Sequence, residues 1–177
     1  QQAIVSRALD KLLIHKISFS NMGEKSGSPV GGKDQTGKWK FNCRWNVDSI
    51  CKNIRKASKL LQGAKVTCND FSTVLKMTKQ NDLCFIDPPY VEAGKKCYKH
   101  YFNNSEHAFL SDMVKDLSCD WVVTYDTHPL ILELYKDCNI YDLEFKYFMS
   151  SAYRTGEKMT VGKELLISNL TPSENEV

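Results

Sequence analysis

The sequence predicts an α/β open sheet, and three observations carry that expectation. Short apolar runs at Leu83–Ile86 and Trp121–Tyr125 have the length of strands rather than helices. Between them, Ser105–Leu117 spaces Leu110, Met113, Val114 and Leu117 along one helical face. Strand, helix, strand in that order builds a parallel sheet with crossover helices. At 177 residues the chain is long enough for one domain with a real core and too short for two large ones.

The elements follow in order. Residues 3–17 read as a helix, and the Gly-, Ser- and Pro-containing stretch after it, from Ser18 to Lys40, as a long loop. From Val47 the pattern Val47, Ile50, Cys51, Ile54, Ala57, Leu60, Leu61 is an amphipathic helix that stops at Gly63. Val66–Cys68 reads as a short strand, Phe71–Met77 as a helical turn or two, and Leu83–Ile86 as a strand buried on both faces. After the helix at Ser105 and the strand at Trp121 come a short helix, Pro129–Tyr135, and a strand, Ile140–Phe145. The segment from Tyr147 to Leu170 reads as two strands around a glycine-containing turn, a terminal antiparallel hairpin.

Hydrophobic residues at 42% and charged residues at 25% are ordinary for a globular protein, which argues against disorder. No apolar run reaches the roughly 20 residues of a membrane helix, and no signal-peptide pattern opens the chain, so no membrane partner and a cytoplasmic location are expected. Seven scattered cysteines, with no C-x-x-C pair, read as reduced thiols and not as a metal site. The charge is uneven. Residues 1–65 hold 13 Lys and Arg against 4 Asp and Glu, and residues 66–177 hold 11 against 17. A basic third beside an acidic remainder is the pattern of a polyanion-binding face attached to a different kind of site, although a solvated lysine-rich surface gives the same count.

The strand at Leu83 runs into Asp87-Pro88-Pro89-Tyr90. Open sheets bind ligands beyond the carboxyl ends of their strands, so this tetrapeptide falls at the active edge. Two prolines forfeit two donors and stiffen the turn. Such a loop suits chemistry at an exocyclic amine, whose lone pair is delocalised until both N–H groups are held by acceptors. Asp87 offers a carboxylate, the Pro88 carbonyl a second acceptor, and Tyr90 a ring to stack on an extruded base. The bland reading is a stiff turn with an incidental tyrosine.

These residues resemble the S-adenosylmethionine-dependent amino-methyltransferases, above all the Dam-type N6-adenine DNA methyltransferases. The similarity extends over GKWKFNCRWN, VTCNDF, CFIDPPY, WVVTYD and KELLISN. It implies a Rossmann-like methyltransferase sheet carrying an inserted DNA-recognition region, with residues 1–62 reading DNA and 63–177 forming the C-terminal part of the catalytic domain. It implies Asp87, Pro88, Pro89 and Tyr90 as the catalytic loop, and Asp70, Phe71 and Asp87 beside the methyl donor, S-adenosylmethionine. It further implies double-stranded DNA as partner, contacted by Lys33, Lys38, Trp39, Lys40 and Arg44 within the basic segment from Met22 to Arg44. A cognate restriction nuclease accompanies many such enzymes, and no metal is required. Asp70 has a plainer reading as a helix cap, and Arg44 with Trp45 as a cation–π pair. Tyr98 and Tyr101 stay open between a DNA contact and a cover for the sheet, and His15, His100, His107 and His128 read as packed or solvated.

The family's Phe-x-Gly-x-Gly donor loop and the acidic end of its second strand are not in this sequence, which opens on Gln1. The sequence therefore reads as the C-terminal part of a longer enzyme. The alternative is a catalytically incomplete DNA-binding remnant. A nucleotide-binding reading of Gly27–Asp34, GSPVGGKD, is weaker: Asp34 stands where a phosphate loop needs Ser or Thr, and no strand precedes it.

Overall fold

A computed structural model describes residues 2–19, 23–97, 100–146 and 161–171. The chain divides into two compact units, Gln1–Thr67 and Cys68–Val177.

The first unit is built on two helices, α1 (Gln2–Ile17) and α2 (Val47–Leu60). Asn46 starts α2 by accepting the Ser49 N–H at 2.9 Å, and Gly63, at φ +86°, follows its end. Between the helices the glycine-rich stretch folds as a chain of turns organised by Gln35. Its side-chain amide donates to the Val30 and Gly32 carbonyls at 2.9 and 2.7 Å and accepts the Phe41 N–H at 3.0 Å. Gly31 has φ +90°, and a Cβ there would stand 2.5 Å from the Trp39 carbonyl oxygen, so no larger residue fits. The GSPVGGKD segment lies among these turns after a helix, with no strand leading into it among the described residues, which removes the context a phosphate loop needs.

The second unit holds a four-stranded sheet of β1 (Leu83–Ile86), β2 (Asp120–Asp126), β3 (Asn139–Lys146) and β4 (Val161–Ser168), in the order β1-β2-β4-β3. β1 and β2 are parallel, and β4 runs antiparallel to both β2 and β3. Three strands therefore end at one edge of the sheet, where β4 begins. The short helices α3 (Phe71–Leu75), α4 (Ala93–Cys97) and α6 (Pro129–Leu134) accompany the longer α5 (Asn104–Lys115). Asn103 and Glu106 form a reciprocal capping box at the start of α5.

The period of two along β2 sorts its residues. Trp121, Val123 and Tyr125 are buried with Leu165 and Ile167 of β4, Leu110 and Val114 of α5, and Ile131 and Tyr135 at α6. Val122, Thr124 and Asp126 point to the opposite, half-exposed face.

Two expectations change. Val66–Cys68 is not a strand: Val66 is 80% exposed, and among the described residues the segment has no neighbour to pair with. The Leu83–Ile86 strand forms, but only half of it is covered. It is paired on one side, with β2, and Leu83 and Phe85 are 66% and 69% exposed on the face opposite the core. Within the described residues β4 pairs antiparallel with β2 and with β3, the strand foreseen at Ile140–Phe145. The first strand and the turn of the expected terminal hairpin, in residues 147–160, lie outside the described residues, as do Met22 and Tyr98. α4 was not foreseen.

Ile131 is enclosed, whereas Leu132, next to it on α6, is exposed. Ile131→Ala is expected to lower the unfolding free energy by about 2–5 kcal/mol. Leu132→Ala should change it by less than about 0.5 kcal/mol. Urea unfolding of the two variants beside the parent chain checks the pair.

Candidate active site

Asp87-Pro88-Pro89-Tyr90 leaves β1 at the edge where β2 and β3 also end. Pro88 is buried, Pro89 and Tyr90 half-buried, and Asp87 exposed. Three side chains on the half-exposed face of β2 and β4 grip this loop. Thr124 Oγ1 donates to Asp87 Oδ1 at 2.8 Å. Asp126, two residues on and so on the same face, accepts the Val91 and Glu92 backbone N–H groups, one on each carboxylate oxygen at 3.3 Å. Glu164, directly across the ladder from Asp126, accepts the Tyr90 hydroxyl at 3.1 Å.

α4 closes on the loop from the other end. The Gly94 N–H donates to the Tyr90 carbonyl at 2.8 Å. A Cβ at Gly94 would lie 3.2 Å from Pro89 Cβ and 3.3 Å from its carbonyl carbon, so any larger residue would push α4 and the loop apart by a few tenths of an ångström.

Behind the loop lies an aromatic layer. Tyr90 packs on Tyr125 with ring centroids 6.1 Å apart, and Tyr125 on His107 at 5.5 Å. Continuing from His107, Phe102 follows at 5.5 Å and Phe71 at 5.4 Å from Phe102. The Tyr125 hydroxyl and His107 Nδ1 are 2.9 Å apart in the interior, and His107 Nε2 is buried with no hydrogen-bond partner among the described residues. Burial pushes the Tyr125 and Tyr90 phenols up and holds His107 below its usual range. Both tyrosines therefore stay neutral, and so does the histidine.

Beside the loop, α3, β1 and Leu110 enclose an open groove of about 430 Å³. Phe71, Val74, Leu75, Leu83, Phe85 and Ile86 give it apolar walls, and Asp87 is at its margin. Cys84 also lines it, but burial and then the Cys119 thiol 3.7 Å away push its thiol up to about 11, so it is no nucleophile at neutral pH. Asp70 caps α3, accepting the Ser72 N–H at 2.9 Å and the Ser72 hydroxyl at 2.5 Å. Those bonds hold its carboxyl below the usual carboxylate range.

Of the residues singled out in the sequence, Asp87, Pro88, Pro89 and Tyr90 thus gather at the sheet edge, and Phe71 and Asp87 line one groove, while Asp70 serves as a cap. In the other unit Lys33, Lys38, Trp39 and Lys40 are exposed. Lys38 Nζ lies 5.7 Å from the Trp39 ring centroid, and the Lys40 ammonium donates to the Gln35 carbonyl. Arg44 donates to the Ser18 carbonyl, tying the residues before α2 back to the end of α1. His128 caps α6 by accepting the Leu130 N–H at 3.1 Å. No three metal-ligating side chains come together among the described residues.

Sequence reasoning did not assign Thr124, Asp126, Glu164 or Gly94, and it read His107 as packed or solvated; it is packed, fully buried. Thr124 and Asp126 carried a usable signal, being polar residues two apart at the carboxyl end of a strand. Glu164 carried none, because its place opposite Asp126 depends on the register of β4.

Residues 6–149 match the family described as D12 class N6 adenine-specific DNA methyltransferase. The chain is also similar to the Type II methyltransferase M1.LlaDCHI of Lactococcus lactis subsp. cremoris, with 27% identity over 113 residues, 59% of this chain. The match covers 39% of that protein's length.

Because His107 is held neutral by burial, the unfolded chain binds a proton that the folded chain refuses below the ordinary histidine range. Its contribution to stability is therefore complete above about pH 6.5 and lost as pH falls further. Replacing His107 by Gln should flatten the fall in urea-unfolding stability between about pH 7.5 and pH 5.5, a window set by the ordinary histidine pKa. An equally steep fall in the variant would assign that pH dependence to other groups.

Proposed function

The chain belongs to the D12 class N6 adenine-specific DNA methyltransferases, and from that premise we propose that it methylates the exocyclic amine of an adenine extruded from duplex DNA. The observation that carries the reading is the fixed geometry of Asp87 and Tyr90: one is bonded to Thr124, the other to Glu164, at the edge where parallel sheets bind their ligands.

In this reading the adenine amine donates one N–H to the second carboxylate oxygen of Asp87 and the other to the Pro88 carbonyl. Two acceptors favour a pyramidal nitrogen whose lone pair is no longer shared with the ring, which makes it nucleophilic. The Tyr90 ring stacks on the base and replaces part of the stacking lost on leaving the duplex. The two prolines keep both acceptors in place, so little conformational entropy is lost when the amine arrives. S-adenosylmethionine, when bound, would supply a methyl group already activated by a sulfonium charge: the C–S bond breaks to leave the neutral thioether as the N–C bond forms, and the surplus amine proton is released to solvent. The groove fits the aromatic part of such a donor in kind, having apolar walls with Phe71 on one side and Asp87 at its margin. Phe71 and the main chain beside Asp70 would hold it there.

The DNA backbone needs positive charge, and the carboxyl edge with Asp87, Asp126 and Glu164 has the opposite sign. The basic unit is the better candidate. Lys33, Lys38 and Lys40 would neutralise phosphates while the exposed Trp39 offers a stacking surface. A restriction nuclease sharing the same DNA site is the partner that a modification enzyme of this kind would protect against.

Labelled methyl transfer from S-adenosylmethionine to unmethylated bacterial DNA tests the reading. Asp87→Ala is expected to cut the rate by about 10²–10³-fold while DNA affinity stays within a few-fold. Affinity without any transfer by the unmodified chain would favour the DNA-binding remnant. In the same assay, replacing Lys33 and Lys38 together by Ala should reduce the slope of log affinity against log salt by about 1–2. A slope equal to that of the unmodified chain removes both lysines from the DNA interface.

A further inference from the structure

We propose that Glu164 is a positioning residue for Tyr90, aiming its ring at the target base from the neighbouring antiparallel strand. The proposal rests on the methyl-transfer reading above and assigns a role to a residue outside the tetrapeptide.

A tyrosine side chain has two soft torsions. The hydroxyl oxygen lies on the axis through Cβ and Cζ, so a bond to it fixes where that axis points but leaves the ring free to turn about it. At Tyr90 the two tasks are divided. Glu164 Oε2, 3.1 Å from the hydroxyl, fixes the axis together with the Thr124 side chain, which also meets that hydroxyl. Tyr125, with its ring at 6.1 Å and inclined by 38°, restricts the turn about it. A stacking surface needs both, because base stacking depends on the plane as well as the position of the ring.

The placement of Glu164 favours a directed role over incidental packing. Glu164 stands directly opposite Asp126 in the β2–β4 register, and like charges directly opposite destabilise a ladder. Both carboxylates grip the loop: Asp126 holds the backbone just after Tyr90, and Glu164 holds the tip of the Tyr90 side chain. Burial keeps the Tyr90 phenol protonated, so the donor is present throughout the working pH range.

A double-mutant cycle on the full chain tests this. Steady-state methyl transfer is measured for the parent, Glu164→Ala, Glu164→Gln, Tyr90→Phe and the Tyr90→Phe/Glu164→Ala pair, with a thermal midpoint for each. Glu164→Ala is expected to lower kcat about tenfold with the KM for S-adenosylmethionine unchanged. Glu164→Gln, whose amide oxygen still accepts the bond, should recover most of that loss. The pair should be no worse than Tyr90→Phe alone, because both changes remove one interaction. Losses that multiply, or a Glu164→Ala enzyme at parental rate, overturn the proposal. If Glu164→Ala does not fold, Tyr90→Phe carries the test by itself, and a parental kcat in that variant overturns it.

A second readout separates this proposal from the function it rests on. With 3-fluorotyrosine incorporated, the Tyr90 fluorine resonance is identified by its loss in Tyr90→Phe. It should move in Glu164→Ala and stay near its parental position in Glu164→Gln. If the parent chain transfers no methyl group, the methyl-transfer reading fails, but the fluorine spectrum still decides whether Glu164 orients Tyr90. A resonance unmoved by Glu164→Ala means that it does not.

Discussion

The carboxyl edge of the sheet depends on the grip of Asp126 on two backbone N–H groups. Pro88 and Pro89 have removed their own donors, so the loop cannot fold back and satisfy itself through them. The first N–H groups after Tyr90 belong to Val91 and Glu92, and Asp126 takes both. That bidentate hold sets where the chain leaves the tetrapeptide, as the strand β1 sets where it enters. Asp87 and Tyr90 sit between these two fixed points. Asp126 in turn is placed by the core. Trp121, Val123 and Tyr125 must face inward, and a strand that buries those three presents Thr124 and Asp126 on its other side. The hydrophobic pattern that builds the sheet is thus the same one that aims the polar residues at the loop.

Much of this was legible in the sequence because it is local. The strands at Leu83, Trp121 and Ile140, the helix α5 and the end of α2 at Gly63 all follow from short-range periodicity and capping, and they appear where those signals put them. The tetrapeptide was legible because its chemistry is compressed into four residues. What failed was pairing. Val66–Cys68 has the composition of a strand, but a strand exists only where another edge accepts its hydrogen bonds, and none of the described residues does. Leu83 and Phe85 have the composition of a doubly buried strand, yet burial of the second face is a property of what packs there, not of the run itself. Glu164 is the same lesson at the site: its role requires a residue 74 positions from Tyr90 to arrive in register.

The distribution of charge gives the two units different work in the proposed reaction. Carboxylates just after β1 and on β2 and β4 converge around Tyr90, a surface that repels phosphate but accepts the N–H groups of a neutral base. The positive charge that duplex DNA requires is concentrated in residues 1–65. Each set would impair the other's task if exchanged: lysines around the amine would compete for Asp87, and carboxylates along the basic turns would raise the cost of approaching the backbone. The separation already visible in the sequence therefore has a chemical reason.

The titrating groups behind the site are held in single protonation states. Burial keeps the Tyr90 and Tyr125 phenols and the Cys84 thiol protonated and keeps His107 neutral. Around neutral pH none of these four changes charge, so the hydrogen bonds that orient Tyr90 and pack Tyr125 against His107 are constant. A reaction whose electrophile is already charged does not need a proton shuttle to start it. It needs two acceptors and a ring held still while the amine nitrogen changes shape, and a rigid, non-titrating surround serves that need better than a histidine poised near neutrality.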